Sequence, residues 1–128
     1  GLGHALTIVP GASQVFLGGV IAYTNDVKIN FLGVDPALIT EHTVVSEEVA
    51  IEMGRGANKS FGSTWAIATT GVAGPTEQDG QPVGKVFIAV AIGEKVRIAE
   101  LGLSGTREQI RAAASEQALQ LAWEQISI

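Results

Sequence analysis

The sequence predicts an α/β domain: a mixed β-sheet with helices packed on its faces and an antiparallel hairpin edge. Three observations predict it. Apolar strand-like runs at 15–23, 64–70 and 83–92 alternate with segments of helical spacing. Gly93-Glu94 separates the last run from Lys95-Val96-Arg97-Ile98, which alternates as a half-exposed strand does. Thr106 with Gln109 forms a capping box ahead of a long final segment of helical periodicity. The chain has 128 residues, 46% of them apolar and 16% charged, which suits one domain spanning 1–128.

The elements follow in order. Residues 2–8 read as a short helix closed by Pro10-Gly11. Val15 to Tyr23 is nearly all apolar and reads as a strand buried on both faces, with Gly18-Gly19 where another element packs close. Asp26 to Leu32 is a short helix ended by Gly33, and Pro36 opens another over Ala37 to Thr40. Ser46 is a good N-cap, with Glu47 and Glu48 in the first turn where the helix dipole favours them. Val49, Met53 and Ala57 then share one face, Gly54 and Gly56 weaken the helix, and Gly62 ends it. Strand 64–70 leads into the Gly/Pro loop 71–82, and strand 83–92 into the hairpin, whose alternation fails after Ala99. Ile110, Ala114, Ala118 and Leu121, widened by Ala113, mark the buried stripe of a last helix running to about Gln125.

Composition excludes several classes. The net charge of −5 lacks the basic excess of a general nucleic-acid binder. The chain has no Cys, which removes disulfides and thiolate metal sites and makes a cytoplasmic setting the expectation. No apolar run reaches the length of a membrane span. The low charged fraction predicts that surface is covered by a partner copy, that is, a homo-oligomer.

Chemistry-bearing residues are few. His4 and His42 lack metal-ligand spacing and read as structural or solvated. Gly1-x-Gly3 has Leu6 where a dinucleotide fingerprint needs its third glycine. Asn58-Lys59-Ser60 matches a glycosylation sequon, a triplet that occurs by chance. Three features carry more. Tyr23 ends the first apolar run and Lys28 follows one helical turn later, a pair able to position or activate a substrate. Thr69-Thr70-Gly71-Val72-Ala73-Gly74-Pro75 sets hydroxyls and glycines at a strand end, where a ligand can touch backbone. Arg107 and Arg111 lie one turn apart at the start of the last helix, against its dipole, as suits an external anion such as phosphate. Each has a plain alternative: a capped turn, a strand-to-turn transition and a solvated surface pair.

These segments, taken in order, resemble the C-terminal domain of the competence/damage-inducible CinA family. That family includes the stand-alone nicotinamide mononucleotide (NMN) amidohydrolase PncC. The resemblance rests on Val9-Pro10-Gly11-Ala12-Ser13, the run from Phe16 to Asn25 with Lys28, Leu32-Gly33-Val34, and Val45 to Ala50. It continues through Thr70 to Pro75, Pro82 to Val86, and Gly105-Thr106-Arg107 with Arg111. It implies deamidation of NMN to nicotinate mononucleotide and ammonia, in pyridine-nucleotide recycling, without metal or organic cofactor. It also implies a serine nucleophile in a Glu-Ser-Cys-Thr-Gly-Gly loop whose last residue matches Gly1, so the start of the domain is expected upstream and these 128 residues alone are expected to be inert.

Carried over residue by residue, the resemblance places Tyr23, Lys28 and Thr70 beside the serine, with Lys28 as the activating base. Gly71, Ala73 and Gly74 offer backbone amides, and Arg107 and Arg111 take the substrate phosphate. Two departures stand out. Thr43 occupies a position where the family commonly has Gly, and the loop 76–81 is more acidic than the usual Gly-rich version, a charge that opposes phosphate. The alternative function is a non-catalytic interaction or regulatory module of a competence or DNA-damage response.

Overall fold

The structure, a computed structural model, describes residues 1–126. The helices are α1 (Leu2–Thr7), α2 (Asn25–Leu32), α3 (Pro36–His42), α4 (Glu47–Phe61) and α5 (Arg107–Ile126), with a 3-10 turn at Ala12–Gln14. The strands are β1 (Trp65–Gly71), β2 (Lys85–Ile92) and β3 (Lys95–Gly102). The local signals explain the boundaries. Thr24, Asp35 and Ser46 each accept a backbone N–H at a helix start, and left-handed Gly33 and Gly62 close α2 and α4. The capping box is formed on both sides: Thr106 N–H donates to Gln109 Oε1 at 2.9 Å, and Gln109 N–H donates to Thr106 Oγ1 at 3.2 Å.

The sheet has the order β1-β2-β3 and is antiparallel throughout. In the hairpin Ile92 faces Lys95, and Gly93 has φ 58 while Glu94 has no positive φ, as a turn with Gly first requires. Beyond Ala99 the strand continues to Gly102, because Lys85 to Ile88 offer it partners. β2 starts at Lys85 and not at Val83, since Gly84 N–H turns to donate to Val72 O at 2.7 Å.

The expected strand at 15–23, and with it a parallel component of the sheet, is absent from the described residues. The backbone there makes no ladder. A strand is defined by its partner, and none of the described strands runs beside this segment. One side of it is covered: Phe16, Gly18 and Ala22 are partly buried, and Gly18 sits so close to the Phe61 ring that a Cβ there would lie 2.8 Å from Cε1. The other side is open, with Val15 81%, Leu17 62% and Ile21 89% exposed. The expectation of burial on both faces is therefore corrected to burial on one.

Two apolar layers sandwich the sheet. On one face Val49, Ala50 and Met53 of α4 join Leu32, Val44, Val45, Ala68, Phe87 and Ala89. On the other, Ile110 and Ala118 of α5 meet Val86 and Ile88, with Leu2 of α1 at the margin. The glycines of α4 explain themselves here. A Cβ on Gly56 would overlap the Leu32 carbonyl, and one on Gly54 would lie 3.3 Å from the Ala91 methyl. They cost helix propensity but let α4 approach α2 and the sheet. Asn58 in the same helix donates to Ala91 O at 3.1 Å and accepts from Ser63 Oγ at 2.7 Å, so its side-chain amide is engaged in the fold.

Candidate functional site

The site lies where β1 runs out. Thr70 is buried, and its hydroxyl donates to Val44 O at 2.9 Å, tying the strand end to the α3–α4 turn. A hydroxyl has one proton; with it committed, Thr70 Oγ1 can only accept from a further group. Gly71 closes the strand opposite Val86. The next residue, Val72, spends its N–H on Lys85 O at 3.0 Å. The N–H groups of Ala73 and Gly74 have no acceptor among the described residues, which leaves them able to face a ligand oxygen. Gly74 has φ 89 and is buried, and a Cβ on it would lie 2.8 Å from Val83 Cγ1.

Lys28, on the first turn of α2, is only 7% exposed. Its Nζ donates to Ala22 O at 2.6 Å, and no carboxylate pairs with it among the described residues. Burial without a counter-charge lowers its pKa from the ordinary lysine value. Lys28 thus holds its amine at the carbonyl of the residue preceding Tyr23.

Tyr23 is 78% exposed, and its hydroxyl accepts from Arg107 Nη2 at 3.3 Å. Arg107 Nη1 donates to Gly74 O at 2.6 Å. One guanidinium therefore gathers the end of segment 15–23, the loop after β1 and the first residue of α5. Arg111 is exposed one turn on and has no bonded partner among the described residues. The hairpin tip near this loop is Gln78 facing Gln81 around Asp79 and Gly80, which have φ 50 and 76, the signature of an Asp-Gly turn. It carries Glu77 and Asp79 on exposed backbone.

Arg107 bridges Tyr23 and Gly74, and Lys28 bonds the carbonyl of Ala22, the residue before Tyr23. Thr70 is anchored from the opposite side, through Val44. Reading the sequence missed Ala22, Val44 and Val83, because two act through backbone carbonyls that no side-chain motif announces and the third by volume alone. His4 is exposed, and His42 is half-buried with its ring nitrogens 3.9 Å from Glu41 and 3.8 Å from Glu48. No group of three or more potential metal ligands occurs among the described residues.

The segments surrounding this site match the family model of the CinA C-terminal domain over residues 1–126. The chain belongs to that family. Among curated relatives of this CinA domain, a CinA-like protein of Solibacter usitatus is 40% identical over 121 residues, covering 94% of this chain and 29% of that protein. A CinA-like protein of Mycobacterium marinum is 44% identical over 124 residues, covering 94% and 29%. The CinA domain described here thus spans under a third of the length of those relatives. Solved structures share its fold. The competence damage-inducible protein A (ComA) of Klebsiella pneumoniae superposes with a TM-score of 0.95 at 29% identity, covering 98% of this chain and 79% of that one. A CinA superfamily protein of Escherichia coli gives 0.91 at 30% identity, covering 95% and 72%.

Proposed function

We propose that this CinA domain deamidates NMN, releasing nicotinate mononucleotide and ammonia. The observation that carries the reading is Lys28: a buried amine with no carboxylate partner among the described residues, held at the carbonyl of Ala22, next to Tyr23, which Arg107 links to the strand-end loop. A lysine with a depressed pKa has a neutral fraction able to take a proton from an alcohol.

Those parts support the following reaction. A serine, which we place in the residues preceding Gly1, attacks the carboxamide carbon and passes its proton to the Lys28 amine. The carbonyl oxygen becomes an oxyanion facing the unspent N–H groups of Ala73 and Gly74. The tetrahedral intermediate collapses, the C–N bond breaks, and the nitrogen leaves as ammonia with the proton returned by Lys28. Water then hydrolyses the acyl-serine ester to give the acid. Thr70, its proton committed to Val44, accepts from the substrate amide N–H. The phosphate falls to Arg111, with the positive charge of Arg107 to attract it.

The reading is tested by ammonia release from NMN in the protein extended to the length of its relatives. Tyr23→Phe, Lys28→Ala and Thr70→Ala should each lower turnover by roughly tenfold or more. Unchanged turnover clears the residue concerned. The alternative is an interaction module, for which the apolar row Val15, Leu17 and Ile21, exposed in these 128 residues, would be the contact surface. An extended protein that binds partners but releases no ammonia would establish that alternative.

A further inference from the structure

We infer that Arg107 is a positioning residue that fixes Tyr23 as a hydrogen-bond donor and pins the Gly74 carbonyl away from the reacting centre. The inference rests on the deamidation reading and goes beyond it, because that reading asks of Arg107 only that it attract a phosphate.

The contacts decide the polarity. A guanidinium has five donors and no acceptor, so at Tyr23 the phenolic oxygen must accept. The tyrosine proton is then left free to donate to a group bound in the site. Tyr23 is 78% exposed, and its contact with Arg107 is the hydroxyl's hydrogen bond to the rest of the described chain. Without it the ring swings freely and its hydroxyl gives or accepts indifferently. At Gly74 the second amino group of the same guanidinium donates at 2.6 Å, a short charge-assisted bond. This draws the Gly74 carbonyl toward Arg107. An oxyanion developing near the Ala73 and Gly74 N–H groups would be repelled by a carbonyl turned its way.

Arg107 sits at the N-terminal end of α5, where the dipole opposes a cation. The two bonds supply a local reason for a cation there. Only a planar fork reaches both acceptors at once; a lysine has the charge but one nitrogen. Charge and geometry are thereby separable by experiment.

The test has two arms. In the 128-residue chain Tyr23 is the only tyrosine, so a ring-labelled tyrosine gives one set of NMR signals. Arg107→Lys and Arg107→Ala should both shift and narrow those signals, as a held ring is released. Signals unchanged in both variants overturn the inference whatever the enzyme does. In the protein extended to the length of its relatives, Arg107→Lys should lower kcat for NMN by about tenfold and leave KM within about twofold. A raised KM with kcat preserved would show a phosphate ligand and overturn the positioning role. If the wild-type protein releases no ammonia, the deamidation reading fails, and the NMR arm still decides whether Arg107 holds Tyr23.

Discussion

At the residue scale, two side chains carry stress that the sequence alone only hinted at. Thr43, the C-cap of α3, has φ 68 and ψ 164, a conformation open to glycine and costly for a β-branched residue. The long contact from its hydroxyl to Val45 O, at 3.4 Å, offsets little of that cost. Thr43→Gly should raise stability by about 1 kcal/mol: roughly 2 kcal/mol of relieved strain, less about 1 kcal/mol of added chain entropy in the unfolded state. Chemical denaturation reads it, and a loss of stability would show that the turn is not strained. Lys28 carries the other stress. Burial lowers its folded pKa below the value of 10.5 that it keeps when unfolded. Between those two values the unfolded chain holds more protons, so stability rises as pH rises toward 10.5 and the penalty is full below the folded pKa. Lys28→Met should flatten that rise in a series of denaturation curves; an identical slope would mean that the amine titrates as a solvated one.

At the element scale, the glycines of α4 separate propensity from packing. Gly54→Ala gains about 1 kcal/mol of helix propensity and meets the Ala91 methyl at 3.3 Å, so it should be close to neutral. Gly56→Ala gains the same propensity but drives a methyl into the Leu32 carbonyl, and should lose about 2 kcal/mol or more. Equal effects of the two would mean that α2 and α4 are not held as described. The elements themselves were largely legible. Thr24 and Asp35 cap α2 and α3, but those two helices were read from Gly33 and Pro36. The caps at Ser46 and Thr106 marked helix starts because a cap is a local bond between residues three apart or fewer. Gly93-Glu94 marked the hairpin for the same reason. Segment 15–23 was not legible, because apolar character says that a stretch wants cover and not which neighbour supplies it. The site divides likewise. Tyr23, Thr70, Gly74 and Arg107 announced themselves by type and order. That Thr70 can only accept, and that Arg107 bonds Tyr23 and Gly74 together, followed from contacts made across 26, 33 and 84 residues of sequence separation.

At the scale of the whole molecule, two layers of core hold a three-stranded sheet, and the candidate site forms at one end of it. The described chain leaves Ile8, Val9, Val15, Leu17 and Ile21 more than half exposed, an apolar surface of the kind that becomes an interface. Self-association is the expected outcome: light scattering should give a multiple of the 13.3 kDa chain mass, and a monomer at all concentrations would contradict it. The central claim is chemical, and ammonia release from NMN tests it most directly. The assay is run in parallel on residues 1–128 and on the protein extended to the length of its relatives. Deamidation by the extended protein, lowered roughly tenfold or more by Lys28→Ala and absent from the 128-residue chain, is the predicted result; no release by the extended protein, or equal release by the 128 residues alone, would contradict it.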